Sequence, residues 1–363
     1  MNKDYTIYIP GGKFVLMKRI TALIFVALLA FAGNVPAAGS KGSLHVEIAF
    51  QQEIHNSGDA VLVDVSITNT GKGAARILRW FTALNGVEEA LFDVRVDGRE
   101  VEYVGRHYKR PEPTDKDYVV IQPGRTMTAT VDLADYYDMS ATGMYSVRYA
   151  VESFDLFSKY NGMLSKRDTL TSNPAASWVD GRQGKRPQPP PPTGGQTSFT
   201  SCSSTQANTI TNARAAAANY SQDSRNYLSA GLTGPRYTTW FGVVTSARYS
   251  TVKSNFEAID DALDGASMNF NCGCNQNYYA YVYPNQPYNI YVCRVFWQAP
   301  TTGTDSKAGT IIHETSHFNV VAGTDDVVYG QSGAKSLAIS NPGKAVQNAD
   351  SHEYFAENTP KQN

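Results

Sequence analysis

The run His313-Glu314-Thr315-Ser316-His317, followed by Gly323-Thr324-Asp325-Asp326-Val327-Val328-Tyr329-Gly330, organises the reading of the C-terminal half of the chain. Placed on a helix, His313 and His317 stand at i and i+4, so both imidazoles leave one face and can grip one Zn²⁺. Glu314 between them is the candidate general base. A zinc site that does chemistry keeps three protein ligands and one position for water. A third ligand must therefore follow nearby, and Asp326 is the best-placed carboxylate. Gly323 can end the helix and let the chain turn back towards the metal. If Asp326 opens the next helix, i, i+3 spacing sets its carboxylate and the Tyr329 phenol side by side, where a phenol can donate to a developing oxyanion. A His-Glu-x-x-His run alone is often ordinary helix surface. The chain has six histidines, and two at ligand spacing with a carboxylate between them and the Gly-Thr-x-Asp-x-x-Tyr-Gly run behind favour the metal. A rival arrangement takes Glu353 or Glu357 as third ligand.

At 363 residues the chain exceeds one ordinary core, so two globular domains with accessory segments are expected. The formal net charge is −1 and no basic stripe stands out, which argues against a nucleic-acid partner. Met17-Lys18-Arg19, an apolar run over 20–32 and then Gly33-Asn34-Val35-Pro36-Ala37-Ala38 read as the parts of a signal peptide. Residues 1–38 are accordingly expected to direct secretion, with Met17 the better start. No later segment reaches about 18 apolar residues, so no stable membrane association is expected, and a monomer is. All four cysteines, Cys202, Cys272, Cys274 and Cys293, lie in the C-terminal half. Export favours disulfides. Cys272 and Cys274 flank one glycine, too tight a spacing to bridge each other easily, so each should reach a distant partner. A structural zinc site is the competing reading, with spacing against it.

From 42 to 165 the chain reads as short strands, with alternation at Ser43-Leu44-His45-Val46-Glu47-Ile48, a run over 60–67, a turn at Asn69-Thr70-Gly71 and further strands near 91–96, 118–121, 126–131 and 145–151. Several strands at regular spacing predict an all-β, Ig-like sandwich, which is either a pro-region or an accessory domain. Its His45, His55 and His107 are scattered and read as surface or core histidines. Residues 166–196, with Lys185-Arg186-Pro187-Gln188-Pro189-Pro190-Pro191-Pro192, read as an exposed spacer open to proteolysis. Beyond it, 197–363 predicts an α+β domain: helices over 207–228 and 250–264, strands over 278–283 and 289–297, the motif helix from about 304–306, and a last helix after Asn341-Pro342.

The two motifs together resemble the aspzincin, or deuterolysin-type, metalloendopeptidases, whose signature is His-Glu-x-x-His with Gly-Thr-x-Asp-x-x-Tyr-Gly. Arg236-Tyr237-Thr238-Thr239-Trp240-Phe241-Gly242, Ala299-Pro300-Thr301-Thr302-Gly303-Thr304-Asp305-Ser306 and Asn348-Ala349-Asp350-Ser351-His352-Glu353-Tyr354-Phe355 are similar to the peptidyl-Lys branch, over roughly 198–363. The resemblance implies a zincin-like fold and one Zn²⁺ on His313, His317 and Asp326. It implies Glu314 as base, Tyr329 as transition-state donor, and Asp350 with Glu353 as an acidic pocket for substrate lysine. It also implies the pairings Cys202 with Cys272 and Cys274 with Cys293. On the residues alone, Asp350 and Glu353 stand i, i+3 on one helix and can share a concavity, although a solvated acidic face has the same spacing. The implied activity is hydrolysis of protein or peptide substrates on the amino side of lysine. The rivals are a broad deuterolysin-like endopeptidase and a secreted binding protein with a structural zinc. The segment from about Ala38 to Gln196 is expected to leave as a pro-region after export.

Overall fold

The computed structural model describes residues 44–157, 167–181 and 194–363. The leader-like segment and the proline run lie outside these residues.

The described residues of 44–157 and 167–181 form β-structure with three short 3₁₀ turns. The strands are β1 (Leu44–Phe50), β2 (Ile54–His55), β3 (Leu62–Asn69), β4 (Ala75–Leu78), β5 (Phe92–Val96), β6 (Arg99–Glu100), β7 (His107–Lys109), β8 (Tyr118–Ile121), β9 (Thr126–Asp132), β10 (Gly143–Ser153), β11 (Asp168–Thr171) and β12 (Ala175–Val179). One sheet runs β1-β3-β9 and another β2-β12-β10-β5-β6, with β11 also on β10 and β4 paired to β8. Period-two alternation turns Leu44, Val46 and Ile48 of β1 and Tyr145, Val147 and Tyr149 of β10 into a shared core. The spacer expected over 166–196 is shorter than its composition suggested. β11 and β12 add to the long strand β10, where Thr171 faces Ala150 and Ser177 faces Tyr145. Strands that complete an existing sheet need few apolar residues of their own, so their low apolar content read as linker.

Among the described residues, strand β7 pairs with no strand of its own region. It joins the sheet of the C-terminal half, antiparallel to β15 with Lys109 opposite Ala280, Tyr108 opposite Tyr281 and His107 opposite Val282.

The C-terminal half contains β13 (Thr197–Thr200), α1 (Ser204–Ser229), α2 (Pro235–Phe241), α3 (Ser246–Gly265), β14 (Met268–Asn271), β15 (Ala280–Val282), β16 (Asn289–Val292), α4 (Arg294–Gln298), α5 (Lys307–His317), α6 (Gly330–Ser340), α7 (Pro342–Ala345) and α8 (Ala349–Glu357). Its sheet runs β13-β14-β16-β15-β7, and two parallel contacts precede the antiparallel ones at β15. The helix α1 begins at a capping box in which Ser203 and Gln206 satisfy each other's backbone N–H. Val252, Phe256, Ile259 and Leu263 of α3 are buried at helical spacing. The strand expected over 289–297 ends at Val292, and Arg294–Gln298 is helical. Cys293 is tied to Cys274 there, and the Arg294 guanidinium bonds Asn275 and Asn277, which turns the chain so that Phe296 enters the core.

Two disulfides, Cys202–Cys272 and Cys274–Cys293, close loops with sequence separations of 70 and 19. Loop-closure entropy assigns them about 4 and about 3 kcal/mol. Replacing both Cys274 and Cys293 by serine should lower the unfolding free energy in urea by about 3 kcal/mol. An unchanged urea midpoint would show that this bridge constrains nothing in the unfolded chain.

Candidate active site

The helix α5 is buried along its whole length although its last five residues are His, Glu, Thr, Ser and His. Its N-terminus is capped by Ser306, whose Oγ accepts from Gly309 N at 2.9 Å. The Glu357 carboxylate accepts from Ser306 N and Oγ, both at 2.8 Å, and from Asp305 N at 3.1 Å. Burial pushes Glu357 up to about 9. It is occupied at the opposite end of α5 from the histidines, which removes it as a third ligand. Gly309 is required where α8 crosses: a Cβ there would lie 2.2 Å from Glu357 Oε1.

Past α5 the chain folds back along it. Thr324 N donates to Ser316 O at 3.1 Å, and the hydroxyls of Ser316 and Thr324 share a hydrogen bond of 2.6 Å. Asp325 bridges to Asn348, whose Oδ1 accepts from Val327 N and Val328 N. Asp326 therefore sits in an extended segment and not at a helix start. Tyr329, not Asp326, is the residue that caps α6. The turn-back is made by backbone pairing to the loop before α8, an interaction that helical spacing could not reveal. Gly330, at φ 78°, follows in a conformation that favours glycine.

This folding brings His313, His317 and Asp326 together. Asp326 Oδ1 lies 3.1 Å from His313 Nε2 and 3.5 Å from His317 Nε2. Ligands at about 2.0–2.1 Å from a tetrahedral ion stand about 3.3 Å apart, so the spacing fits zinc. All three of these atoms are buried without a hydrogen-bond partner, as ligand atoms would be. The far side of each ring faces an acceptor. His317 Nδ1 donates to Thr324 O at 2.7 Å, and His313 Nδ1 lies 2.9 Å from Asp350 Oδ1, so each ring turns its Nε2 towards Asp326. Burial opposes charge on His313, yet Asp326, Asp350 and Glu353 hold its pKa well above the imidazole range. The cluster carries an excess of negative charge that a divalent cation meets. Glu353 Oε2 is 3.3 Å from His313 Nδ1, on the ring edge away from Asp326, so it too is poorly placed as third ligand.

Burial pushes Glu314 up to about 7, against the pull of His313 and His317. Its Oε1 accepts from the backbone N of Lys109 at 3.1 Å, while Asp326 Oδ2 accepts from Tyr108 N at 2.8 Å. The Tyr329 hydroxyl donates to Glu89 Oε1 at 2.7 Å, and burial raises Glu89 to about 8 although Arg110 opposes the rise.

Asp350 and Glu353 do share a concavity, and the Lys109 ammonium fills it. Its Nζ is 2.9 Å from Glu353 Oε2, 3.0 Å from Asp350 Oδ1, 3.3 Å from Asp305 Oδ1 and 3.4 Å from the Tyr354 hydroxyl. Burial works against this charge, but Asp350 and Glu353 hold the Lys109 pKa well above its ordinary value, so the ammonium is kept. Asp350 faces two ways, because Oδ1 also approaches His313 and Oδ2 accepts from Gly330 N at 2.6 Å.

Sequence reasoning missed Asp305 and Tyr354 as pocket walls, and it missed the N-terminal contributors Glu89, His107 and Lys109 altogether. The N-terminal region was read as free of any functional cluster, and His107 as a default core or surface histidine. The first of these is corrected: β7 reaches the site across a sequence separation of 205 between Lys109 and Glu314, and no local pattern marks it.

A family model described as lysine-specific metallo-endopeptidase, of the aspzincin group, matches residues 226–357. The chain is 44% identical to an extracellular protease of Aeromonas hydrophila, over 96% of this chain and 100% of the relative. It is 38% identical to a peptidyl-Lys metalloendopeptidase of Armillaria mellea, over 83% of this chain and 88% of the relative. Among solved structures it is similar to a zinc peptidase from Grifola frondosa at 48% identity and a TM-score of 0.43, covering 45% of this chain and 100% of that one.

Proposed function

Because the chain belongs to the aspzincin family of zinc metallo-endopeptidases, we propose that it cuts peptide bonds on the amino side of lysine and is exported in a latent form. The observation that carries this reading is the seating of Lys109, with its ammonium between Asp350 and Glu353 and its backbone N on Glu314. A lysine whose own amide nitrogen meets the candidate acid-base group is posed as the residue that follows a scissile bond.

The residues divide the work as follows. His313, His317 and Asp326 would hold zinc, which when bound acidifies a water and polarises a carbonyl. Glu314 takes the proton of the attacking water and returns it to the leaving amine. Tyr329 donates to the oxyanion once Glu89 releases it. β15 offers its edge to an extended substrate, as it now does to β7, so backbone hydrogen bonds supply affinity and the acidic pocket supplies choice. Asp305 and Tyr354 complete the pocket around an ammonium, whose three donors they can share with the two carboxylates.

The N-terminal β-region, expected as an Ig-like sandwich, acts in this reading as the pro-region, since its β7 fills the substrate strand and its Lys109 the pocket. Secretion is supported by the leader-like segment and by the name of the Aeromonas hydrophila relative. Sequencing the cut sites in a digested protein mixture tests the substrate preference. New N-termini should be dominated by lysine, and cuts without lysine bias would replace this reading by a broad endopeptidase. Mass spectrometry of the secreted active form tests the pro-region, and an active species still beginning near Ala38 would make the β-region permanent.

Asp326→Ala should weaken zinc binding by at least about 100-fold, as expected for loss of one of three ligands where even an outer-shell change costs 10–100-fold. Metal analysis after dialysis reads this out. Full occupancy would send the search for the third ligand back to Glu353.

A further inference from the structure

We propose that His107 is a fourth protein ligand of the zinc in the unprocessed chain, taking the position that catalysis reserves for water. This rests on the zinc-peptidase reading above and deepens it, because it states what keeps the precursor inert when a lysine is already seated for cleavage. His107, His317 and Asp326 each offer a ligand atom, and these atoms all lie within 4.8 Å of one another. The ring centroids of His107 and His317 are 4.7 Å apart at 52°, and His107 Nδ1 is 4.0 Å from Asp326 Oδ2. The His107 side chain is only 11% exposed, and among the described residues no hydrogen bond reaches its ring. A mostly buried imidazole grouped with His317 and Asp326, two of the three residues that would hold the ion, stands where it would supply a fourth ligand.

The register of β7 enforces the placement. With Tyr108 N on Asp326 and Lys109 N on Glu314, the residue two before the pocket lysine faces the metal side. The lysine plug and the histidine are thus parts of one strand, and the bond between Tyr108 and Lys109 stays whole because no water has a place on the metal.

The test uses the full chain carrying Glu314→Gln, so that no self-cleavage confuses it, loaded with Co²⁺ alone. His107→Ala should alter the visible cobalt bands and speed metal release to a chelator at least tenfold. His107→Cys keeps a ligand and should add a thiolate-to-cobalt charge-transfer band in the near ultraviolet, a signature that simple loosening of the strand cannot produce. A Cys variant lacking that band, or an Ala variant with unchanged bands and release, overturns the proposal. The cobalt spectra are independent of turnover, so failure of the peptidase reading would appear in the cut-site assay and leave this outcome legible.

Discussion

Glu314→Gln should fold, hold zinc as the parent does, and lose about 10³–10⁴-fold in kcat, the upper part of the range for removal of a general acid-base group. The glutamine keeps an oxygen for the Lys109 amide and fills the same buried space, so the docked strand and the helix α5 have no reason to move. It has no proton affinity near neutrality, and the function of Glu314 is to take and return a proton. Measured on enzyme trimmed by a second protease, with metal content determined on the same sample, the loss should fall in kcat while KM changes little. Activity within tenfold of the parent would remove Glu314 from the role.

Converting Glu353 to glutamine together with Asp350 to asparagine should collapse the preference for lysine over neutral side chains by about 10²-fold or more. A buried charge that loses its partners forfeits about 3–5 kcal/mol, and here both flanking carboxylates of the ammonium go. The two substitutions are not equivalent. Asp350 also approaches His313 Nδ1 and accepts from Gly330 N, so its amide disturbs the metal's support as well as the pocket. Glu353→Gln alone is the cleaner probe: its kcat/KM should fall for lysine substrates and hold for small neutral ones. Arginine should remain a poor substrate of the parent, because a cavity closed by Asp305, Tyr354 and two carboxylates around a compact ammonium does not match a planar fork of five donors. Selectivity unchanged in the double variant would place lysine recognition outside this pocket.

Much of the geometry of the candidate site was legible because its information is local. The i, i+4 histidines, the carboxylate between them and the return through Gly323 to Asp326 lie within a few turns of chain, where spacing and turn chemistry govern geometry. The i, i+3 pair on α8 was legible for the same reason, although only its contact with Lys109 distinguishes it from a solvated acidic face. The route of Asp326 was misjudged, since its segment is held by backbone pairing of Asp325 to the loop before α8 and by the Asn348 side chain at Val327 and Val328, and not by a helix start.

What local pattern could not carry was the identity of the partner across the cleft. His107-Tyr108-Lys109 is an unremarked tripeptide of a β-region, and its place at the site arises from pairing with β15 and from the ion pair of Lys109 with Asp350 at a sequence separation of 241. Likewise the hydroxyl of Tyr329, expected as a donor, donates here to Glu89, a partner far away in sequence that no local pattern marks. The local motifs specify which atoms can bind a metal or an ammonium. Which strand lies in the groove depends on how two β-surfaces distant in sequence meet, and such long-range pairing leaves no periodicity in the residues that make it.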